Sequence, residues 1–127
     1  MQRKAIRTFE DLLVWQKAIE FVKEVYLVTN EGNLKRDFGL RDQMRRAAVS
    51  ISTNIAEGFE RASRKEYLLF LNIAKGSAGE TRSLIRVALE VGYFDQRTHE
   101  ELRKKALTLG RFLFNQINSI RSAPART

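Results

Sequence analysis

The sequence has no cysteine, one histidine and one proline in 127 residues. Without cysteine it forms no disulfide framework, no thiolate nucleophile and no cysteine zinc site. Its single histidine, His99, does not supply the two Glu-x-x-His pairs of a di-iron bundle, and it is the only ordinary base for a serine or threonine nucleophile. We therefore expect a protein without metal, cofactor or enzymatic activity, with His99 on the surface.

The sequence also has no long apolar run. No stretch approaches the ~20 apolar residues that cross a bilayer, so no membrane partner is expected. Residues 1–7 are basic and lack an apolar signal region, which favours a cytoplasmic protein. The length predicts one domain over residues 1–121. Pro124 lies in a tail, residues 122–127, that we expect to be disordered.

Negative charge is scarce relative to positive charge. There are 23 Lys and Arg residues against 15 Asp and Glu residues, which gives a formal net charge of +8. A small domain needs only a modest net charge for solubility. The surplus therefore favours nucleic acid or another polyanion as a partner.

Four amphipathic segments occupy the chain between short breaks. Helices are predicted over residues 9–29, 37–57, 65–91 and 96–120. Thr8 and Ser63 each precede an acidic residue at capping-box spacing, Asp95 is a further N-cap, and Gly58 is placed to end the second helix. Short connections and near-heptad spacing predict an all-α, up-and-down antiparallel four-helix bundle with left-handed, coiled-coil-like packing.

The first and third helices have apolar faces wider than one core requires. A single core-facing stripe needs a little over ~100°, whereas the apolar arc of the third helix covers about 200°. The stripe predicted to face the core in the first helix contains Leu12, Trp15, Ile19, Val22 and Tyr26, and Val14, Ala18, Phe21 and Val25 extend it. The extension in the third helix contains Phe70, Ile73, Leu84, Val87 and Val91. Exposed patches of this kind mark interfaces, so the pattern favours a homo-oligomer over a monomer whose N-terminal segment covers the excess.

Polar residues beside these apolar faces predict a structural polar network. Its predicted members are Arg46, Asn54 and Glu57 of the second helix and Glu80 of the third. A buried carboxylate requires a partner, because desolvating an isolated charge is costly. A ligand site on Glu57 and Glu80, or simple solvent exposure, remains as an alternative. Gly76 and Gly79 lie within a helical pattern and are expected to permit a close helix approach.

Basic residues are distributed over outer helix faces and turns. We predict as phosphate contacts Arg41, Arg45, Arg61, Arg64, Lys65, Arg103, Lys104 and Lys105. No helix-turn-helix or RNA-binding sheet pattern accompanies them, so binding by shape and charge is expected. A solvated surface with salt bridges is the alternative interpretation.

Several ordered sequence blocks resemble one known family. They are FEDLLVWQKA at residues 9–18, FGLRDQMRRAAVSI at 38–51, STNIAEG at 52–58, AKGSAGE at 74–80 and GY at 92–93. The blocks resemble the four-helix bundle proteins encoded in 23S rRNA intervening sequences, which include accessory variability determinant proteins of diversity-generating retroelements. The resemblance covers about residues 9–120. The chain departs from many relatives at Asn33-Leu34 and Asp37, which affects only the entry to the second helix.

The resemblance implies a ring-like homopentamer. For the retroelement branch it also implies a basic surface that binds RNA and a reverse transcriptase, whereas the role of the intervening-sequence branch is poorly defined. Our leading hypothesis is a non-enzymatic oligomer that binds structured RNA. The alternative is a protein-interaction scaffold that docks a reverse transcriptase or ribosomal component without contacting RNA.

Overall fold

The structure, a computed structural model, describes residues 5–123. Four long helices follow one another as α1 (Leu13–Thr29), α2 (Phe38–Glu60), α3 (Arg64–Glu90) and α4 (Gln96–Ser122). Single-turn 3-10 helices lie at Phe9–Asp11 and Leu34–Arg36, and residues 5–123 contain no strand. The predicted all-α four-helix bundle is confirmed. The handedness of its packing stays a prediction.

The helices pack in a cycle, each against its neighbours in sequence, with α4 closing against α1. The α2/α3 interface is the most extensive, and the α1/α4 contact is the smallest. We call the end that carries the α2–α3 turn the lower end, and the end that carries the other two connections the upper end. The predicted tail begins at the last residue of α4, and residues 124–127 lie outside the described part of the chain.

The starts of α3 and α4 follow the local sequence. The Ser63 side chain accepts a hydrogen bond from the Glu66 amide at 3.1 Å, as the capping box predicts. Asp95 accepts one from the Thr98 amide at 2.7 Å, and this bond holds the pKa of the Asp95 carboxyl below its ordinary value. These caps satisfy amides that have no partner within the helix.

The beginning of α1 differs from its prediction. The Asp11 carboxylate accepts a hydrogen bond from the Thr8 amide at 3.1 Å, but this arrangement caps the 3-10 turn rather than the α-helix. Leu12 then adopts an extended conformation, and α1 starts at Leu13. The extended residue separates the capping motif from the helix that it was expected to begin.

The core-facing stripe of α1 was also predicted in the wrong phase. Apart from Leu12, the residues predicted to face the core lie on the flank of the helix, where Trp15 is half-buried and Tyr26 is 43% exposed. The predicted extension is the true core stripe and consists of Val14, Ala18, Phe21 and Val25. Both stripes are apolar, so periodicity alone does not choose between them.

In α2, α3 and α4 a stripe of apolar residues at heptad-like spacing faces the core. The buried members of these stripes include Met44, Ile51, Leu71, Ile85 and Leu113, each fully excluded from solvent. His99 is a correction, because it is 5% exposed rather than a surface residue. It lies three residues before Leu102 and therefore extends the buried stripe of α4. No helix within residues 5–123 is long and apolar enough to span a bilayer.

Gly58 has a different role from the predicted one. It does not end α2, which continues to Glu60. A Cβ atom at Gly58 would lie 2.8 Å from the Phe70 Cβ and 3.1–3.2 Å from atoms of Tyr67. Glycine therefore permits the close approach of α2 and α3 at the lower end.

Candidate nucleic-acid interface

The eight predicted phosphate contacts lie on three parts of the surface rather than on one patch. Arg41 and Arg45 lie on α2 near the upper end, Arg61, Arg64 and Lys65 at the lower end, and Arg103, Lys104 and Lys105 on α4 toward the upper end. Twenty residues of helical rise separate Arg41 from Arg61, a distance of about 30 Å. One short stretch of RNA backbone does not contact all three groups in a single chain.

Arg41 is held by several neighbours. Its Nε donates to the Asp42 carboxylate at 2.9 Å, and its Nη1 donates to the Lys35 carbonyl at 3.0 Å. The guanidinium carbon lies 4.6 Å from the centre of the Phe38 ring. This geometry stacks a cation on an aromatic face.

Arg45 forms a second pair of this type one turn further along α2. Its guanidinium carbon lies 4.7 Å from the centre of the Tyr26 ring, which belongs to α1. Its Nε donates to the Thr29 hydroxyl at 2.8 Å, and that hydroxyl donates to the Val25 carbonyl at 2.7 Å. The guanidinium is thus fixed in orientation by a buried side chain.

The lower-end group is partly neutralised. Arg61 donates to the Glu57 carboxylate at 2.8 Å and lies 4.8 Å from the centre of the Phe70 ring. Arg64 and Lys65 are exposed in the first turn of α3. The ion pair of Arg61 lowers the net positive charge of this region.

The α4 group faces carboxylates. Arg103 lies 3.6 Å from Glu100, and the Lys105 ammonium lies 3.1 Å from Glu24 of α1. Lys104 and Lys105 line a groove of about 390 Å³ between α1 and α4, which Glu24 also lines. This surface therefore has mixed charge.

A groove between α3 and α4 has a more uniform positive charge. It encloses about 370 Å³. Its lining, which defines the α3/α4 groove, is Lys75, Ala78, Gly79, Arg82, Ala106, Leu107, Gly110, Arg111 and Phe114. Among the described residues no carboxylate lines this groove, and Lys75, Arg82 and Arg111 form no ion pair there. Its three cations are therefore available to an anionic partner.

The floor of the α3/α4 groove is open. A Cβ atom at Gly79 or Gly110 would meet no atom within 4 Å, and the same is true of Gly76. The expectation that Gly76 and Gly79 permit a close helix approach is therefore wrong within one chain. Phe114 is 53% exposed at the groove, with the Lys75 ammonium 6.0 Å from its ring centre.

Sequence reasoning did not choose the cations of the α3/α4 groove as contacts. It favoured adjacent basic residues such as Arg103 and Lys104, whereas Lys75, Arg82 and Arg111 are isolated in sequence. Folding brings them together because antiparallel helices place the middle of α3 beside the middle of α4. The seven-residue spacing of Lys75 and Arg82 was the signal in the sequence, since it places both on one helix face.

Of the four residues predicted to form a polar network, Asn54 alone takes part in the hydrogen bonds that connect α2 to α3. The Asn54 amide donates to the Ser50 carbonyl at 2.8 Å and to its hydroxyl at 3.0 Å, and Ser50 bonds the Ser77 hydroxyl at 2.9 Å. Arg46, Glu57 and Glu80, the other predicted members, are exposed. The network therefore connects α2 to α3 through uncharged side chains, and it needs no buried carboxylate.

Exposed apolar side chains form a stripe along α3. We define the α3 stripe as Leu69, Ile73, Val87 and Val91, whose exposed fractions are 58%, 43%, 40% and 55%. The apolar extension predicted for this helix is thus divided, because Leu84 is buried in the core. Exposed apolar stripes of this kind are typical of protein interfaces.

Comparison with known proteins identifies the family. The family model described as 23S rRNA-intervening sequence protein matches residues 10–115. This chain belongs to that family. The match extends from the 3-10 turn before α1 into α4, so it includes all four helices and both faces of the α3/α4 groove.

A solved structure of a protein whose family has a related description shows the same fold. This crystal structure is that of a protein of unknown function from the S23 ribosomal protein family of Bacteroides thetaiotaomicron, which is 26% identical to this chain in sequence. The alignment covers 84% of this chain and 96% of that chain, with a TM-score of 0.76. No curated protein matches the chain in sequence.

Proposed function

We propose that this chain binds structured RNA, without enzymatic activity, through charge and shape. The observation that carries the proposal is the α3/α4 groove, where Lys75, Arg82 and Arg111 lie around an open floor and no carboxylate of residues 5–123 lines the groove. The formal net charge of +8 adds a long-range attraction for polyanions. Contacts with phosphate supply affinity that tolerates sequence variation and decreases as salt increases.

A salt titration tests this proposal. Binding of a fluorescently labelled structured RNA is followed by anisotropy between 50 and 200 mM salt. Engagement of about three phosphates per chain predicts a log–log slope of about −2 to −3. An affinity that does not change with salt, or no binding at the lowest salt, contradicts the proposal.

We propose in addition that copies of the chain associate through the α3 stripe. Burying exposed leucine, isoleucine and valine side chains against a second copy removes apolar surface from water. The resemblance to the family implies five copies, which together carry a formal charge of about +40. Such an assembly has a stronger field for RNA than a single chain.

Sedimentation at low micromolar concentration tests the association. We expect a species several times heavier than 14.7 kDa. The double variant Ile73→Glu/Val87→Glu is expected to dissociate it without unfolding the chain, because both side chains are exposed in the isolated bundle. Leu27→Glu, on an exposed position of α1, is the matched control. A wild-type protein that sediments as a monomer contradicts the association.

A protein-interaction scaffold is the second candidate function, and the α3 stripe is the observation that favours it. In this case the stripe docks a reverse transcriptase or a ribosomal component, and the positive charge serves solubility. Nuclease treatment during a pull-down separates the two functions. A scaffold keeps its protein partner after nuclease treatment, whereas an RNA-mediated complex loses it.

A further inference from the structure

A groove on the other side of the bundle combines one tyrosine ring with two arginines. It encloses about 620 Å³ between α1 and α2. Its lining, which defines the α1/α2 groove, is Tyr26, Asp42, Arg45, Arg46, Val49, Ser50, Thr53 and Asn54. On α2, Arg41 lies about one turn and Phe38 about two turns from Arg45, toward the upper end. Arg41 is joined to the groove through its ion pair with Asp42.

Arg45 is prepared to contact a ligand in the α1/α2 groove. Its Nε donates to the buried Thr29 hydroxyl, and its guanidinium carbon lies 4.7 Å from the centre of the Tyr26 ring. Its two Nη groups form no hydrogen bond within the described residues, so four N–H donors remain for a ligand. A guanidinium fixed in this way loses little rotamer freedom on binding.

The aromatic rings have exposed area beyond their arginine partners. Phe38 is 65% exposed, and Tyr26 is 43% exposed. The guanidinium carbon of each arginine lies over its ring, and Arg41 and Arg45 are about one helical turn apart on α2. Unpaired bases stack on aromatic rings and on guanidinium planes, whereas bases inside a duplex are already stacked on one another.

The remaining lining suits a nucleotide. Asp42 is the single carboxylate among the described lining residues, and Arg41 neutralises it, so Arg45 and Arg46 leave the groove positively charged. The Asn54 amide nitrogen donates to Ser50, which leaves its carbonyl oxygen as a hydrogen-bond acceptor. Phosphate, base face and base edge thus each find a complementary group.

We propose that the α1/α2 groove binds unpaired nucleotides of RNA, with bases stacked on the Arg45–Tyr26 and Arg41–Phe38 pairs. The free N–H groups of Arg45 and Arg46 donate to the adjacent phosphates. The inference rests on the proposed RNA binding and deepens it, because it assigns loops and bulges, rather than duplex, to this surface. The α3/α4 groove contributes affinity for phosphate on either kind of RNA.

The test compares an RNA hairpin that carries 2-aminopurine in its loop with a blunt duplex of the same length. The wild-type protein is expected to quench or shift the 2-aminopurine fluorescence and to prefer the hairpin loop. The variant Tyr26→Leu/Phe38→Leu is expected to bind the hairpin at least about 30-fold more weakly, because it loses two base–aromatic stacks. Its affinity for the duplex, its salt slope and its helical circular dichroism stay unchanged.

Two further variants separate stacking from charge. Arg45→Lys keeps the positive charge but removes the planar group, so it is expected to weaken loop binding without changing the salt slope by more than a fraction of one. Leu13→Ala removes an exposed apolar side chain of α1 that lines neither groove and is the control, with loop quenching retained.

The outcomes distinguish this inference from the proposed function. If the wild-type protein binds RNA in a salt-dependent way but shows no loop preference and no fluorescence change, the α1/α2 groove assignment is overturned alone. Unchanged loop binding by Tyr26→Leu/Phe38→Leu, or equal competition by polyglutamate, overturns it as well. If the wild-type protein binds neither RNA at low salt, the proposed function fails together with this inference.

Discussion

Glycine has opposite surroundings at the α2/α3 interface and in the α3/α4 groove. At Gly58 a methyl group would collide with Phe70 and Tyr67, whereas at Gly79 and Gly110 it would meet nothing within 4 Å. At the α2/α3 interface Ser50 and Ser77 bond to each other, while no carboxylate of the described residues lines the α3/α4 groove with its cations. The side of α3 that faces α2 is therefore used in packing, whereas the side that borders the α3/α4 groove is available to a partner.

The largest effect on stability is expected from adding a methyl group at Gly58, in the tightly packed α2/α3 interface. Gly58→Ala places a Cβ 2.8 Å from the Phe70 Cβ, an atom close to the backbone that moves only with the helix. Overpacking costs about 1–3 kcal/mol, and a collision with an atom so close to the backbone belongs at the upper end of that range. After the gain of about 1 kcal/mol in helix propensity, we expect a net loss of up to about 2 kcal/mol. Urea unfolding followed by circular dichroism measures it. An unchanged midpoint would mean that α2 and α3 separate at little cost.

Much of the fold was accessible from the sequence because two helices have a single possible core face. In α2 and α4 the three-four spacing of apolar residues has charged residues opposite, so the buried side is unambiguous. In α3 the apolar arc is wider than the core face, and the part that faces the core follows only from packing against α2 and α4. In α1 the flank of Trp15 is as apolar as the true stripe of Phe21, and only packing against α2 and α4 decides the phase. Gly58 was assigned to a helix end because glycine has that role most often, and its true partner, Phe70, is visible only after folding.

The candidate interface was less accessible than the fold. The cations of the α3/α4 groove are 29 to 36 residues apart between the two helices, and nothing local connects Arg82 with Arg111. The amino-acid composition likewise does not show which cations lie beside a carboxylate in the folded chain. Lys105 was predicted as a contact on the same grounds as its neighbours, and the structure places Glu24 of another helix 3.1 Å away.

The second effect tests whether the positive charge of the α3/α4 groove contributes to RNA binding. Arg82→Ala/Arg111→Ala removes two uncompensated cations of the α3/α4 groove and is expected to weaken RNA binding at least about tenfold at low salt, with the salt slope reduced by about 2. Anisotropy against salt measures both quantities. Arg97→Ala/Arg121→Ala removes the same charge from exposed positions on α4 outside the groove and is the control. Equal losses in the two variants would show that net charge acts without a preferred groove.

The third effect is smaller and has the opposite sign from the first. Gly79→Ala adds a methyl group to a helix at a position with open space, so the unfolding free energy is expected to increase by about 0.5–1 kcal/mol from helix propensity. If the α3/α4 groove holds RNA close to its floor, the same variant weakens binding while it stabilises the fold. A destabilised Gly79→Ala protein would contradict the open space found around Gly79.

The smallest effect concerns the pH dependence of stability at the α2/α3 interface. Burial raises the pKa of the Tyr67 hydroxyl above its ordinary value, and the hydrogen bond donated by the Gln116 amide at 3.1 Å opposes this only in part. Because the folded state holds the Tyr67 proton more tightly than the unfolded state, its contribution to stability is complete below about pH 10 and is lost as the pH rises through the raised value. Urea midpoints are therefore expected to fall more steeply above pH 10 for the wild-type protein than for Tyr67→Phe. Parallel curves would show that Tyr67 ionises without disturbing the packing around Gly58, and the α2/α3 interface would then be less closed at the lower end than its geometry indicates.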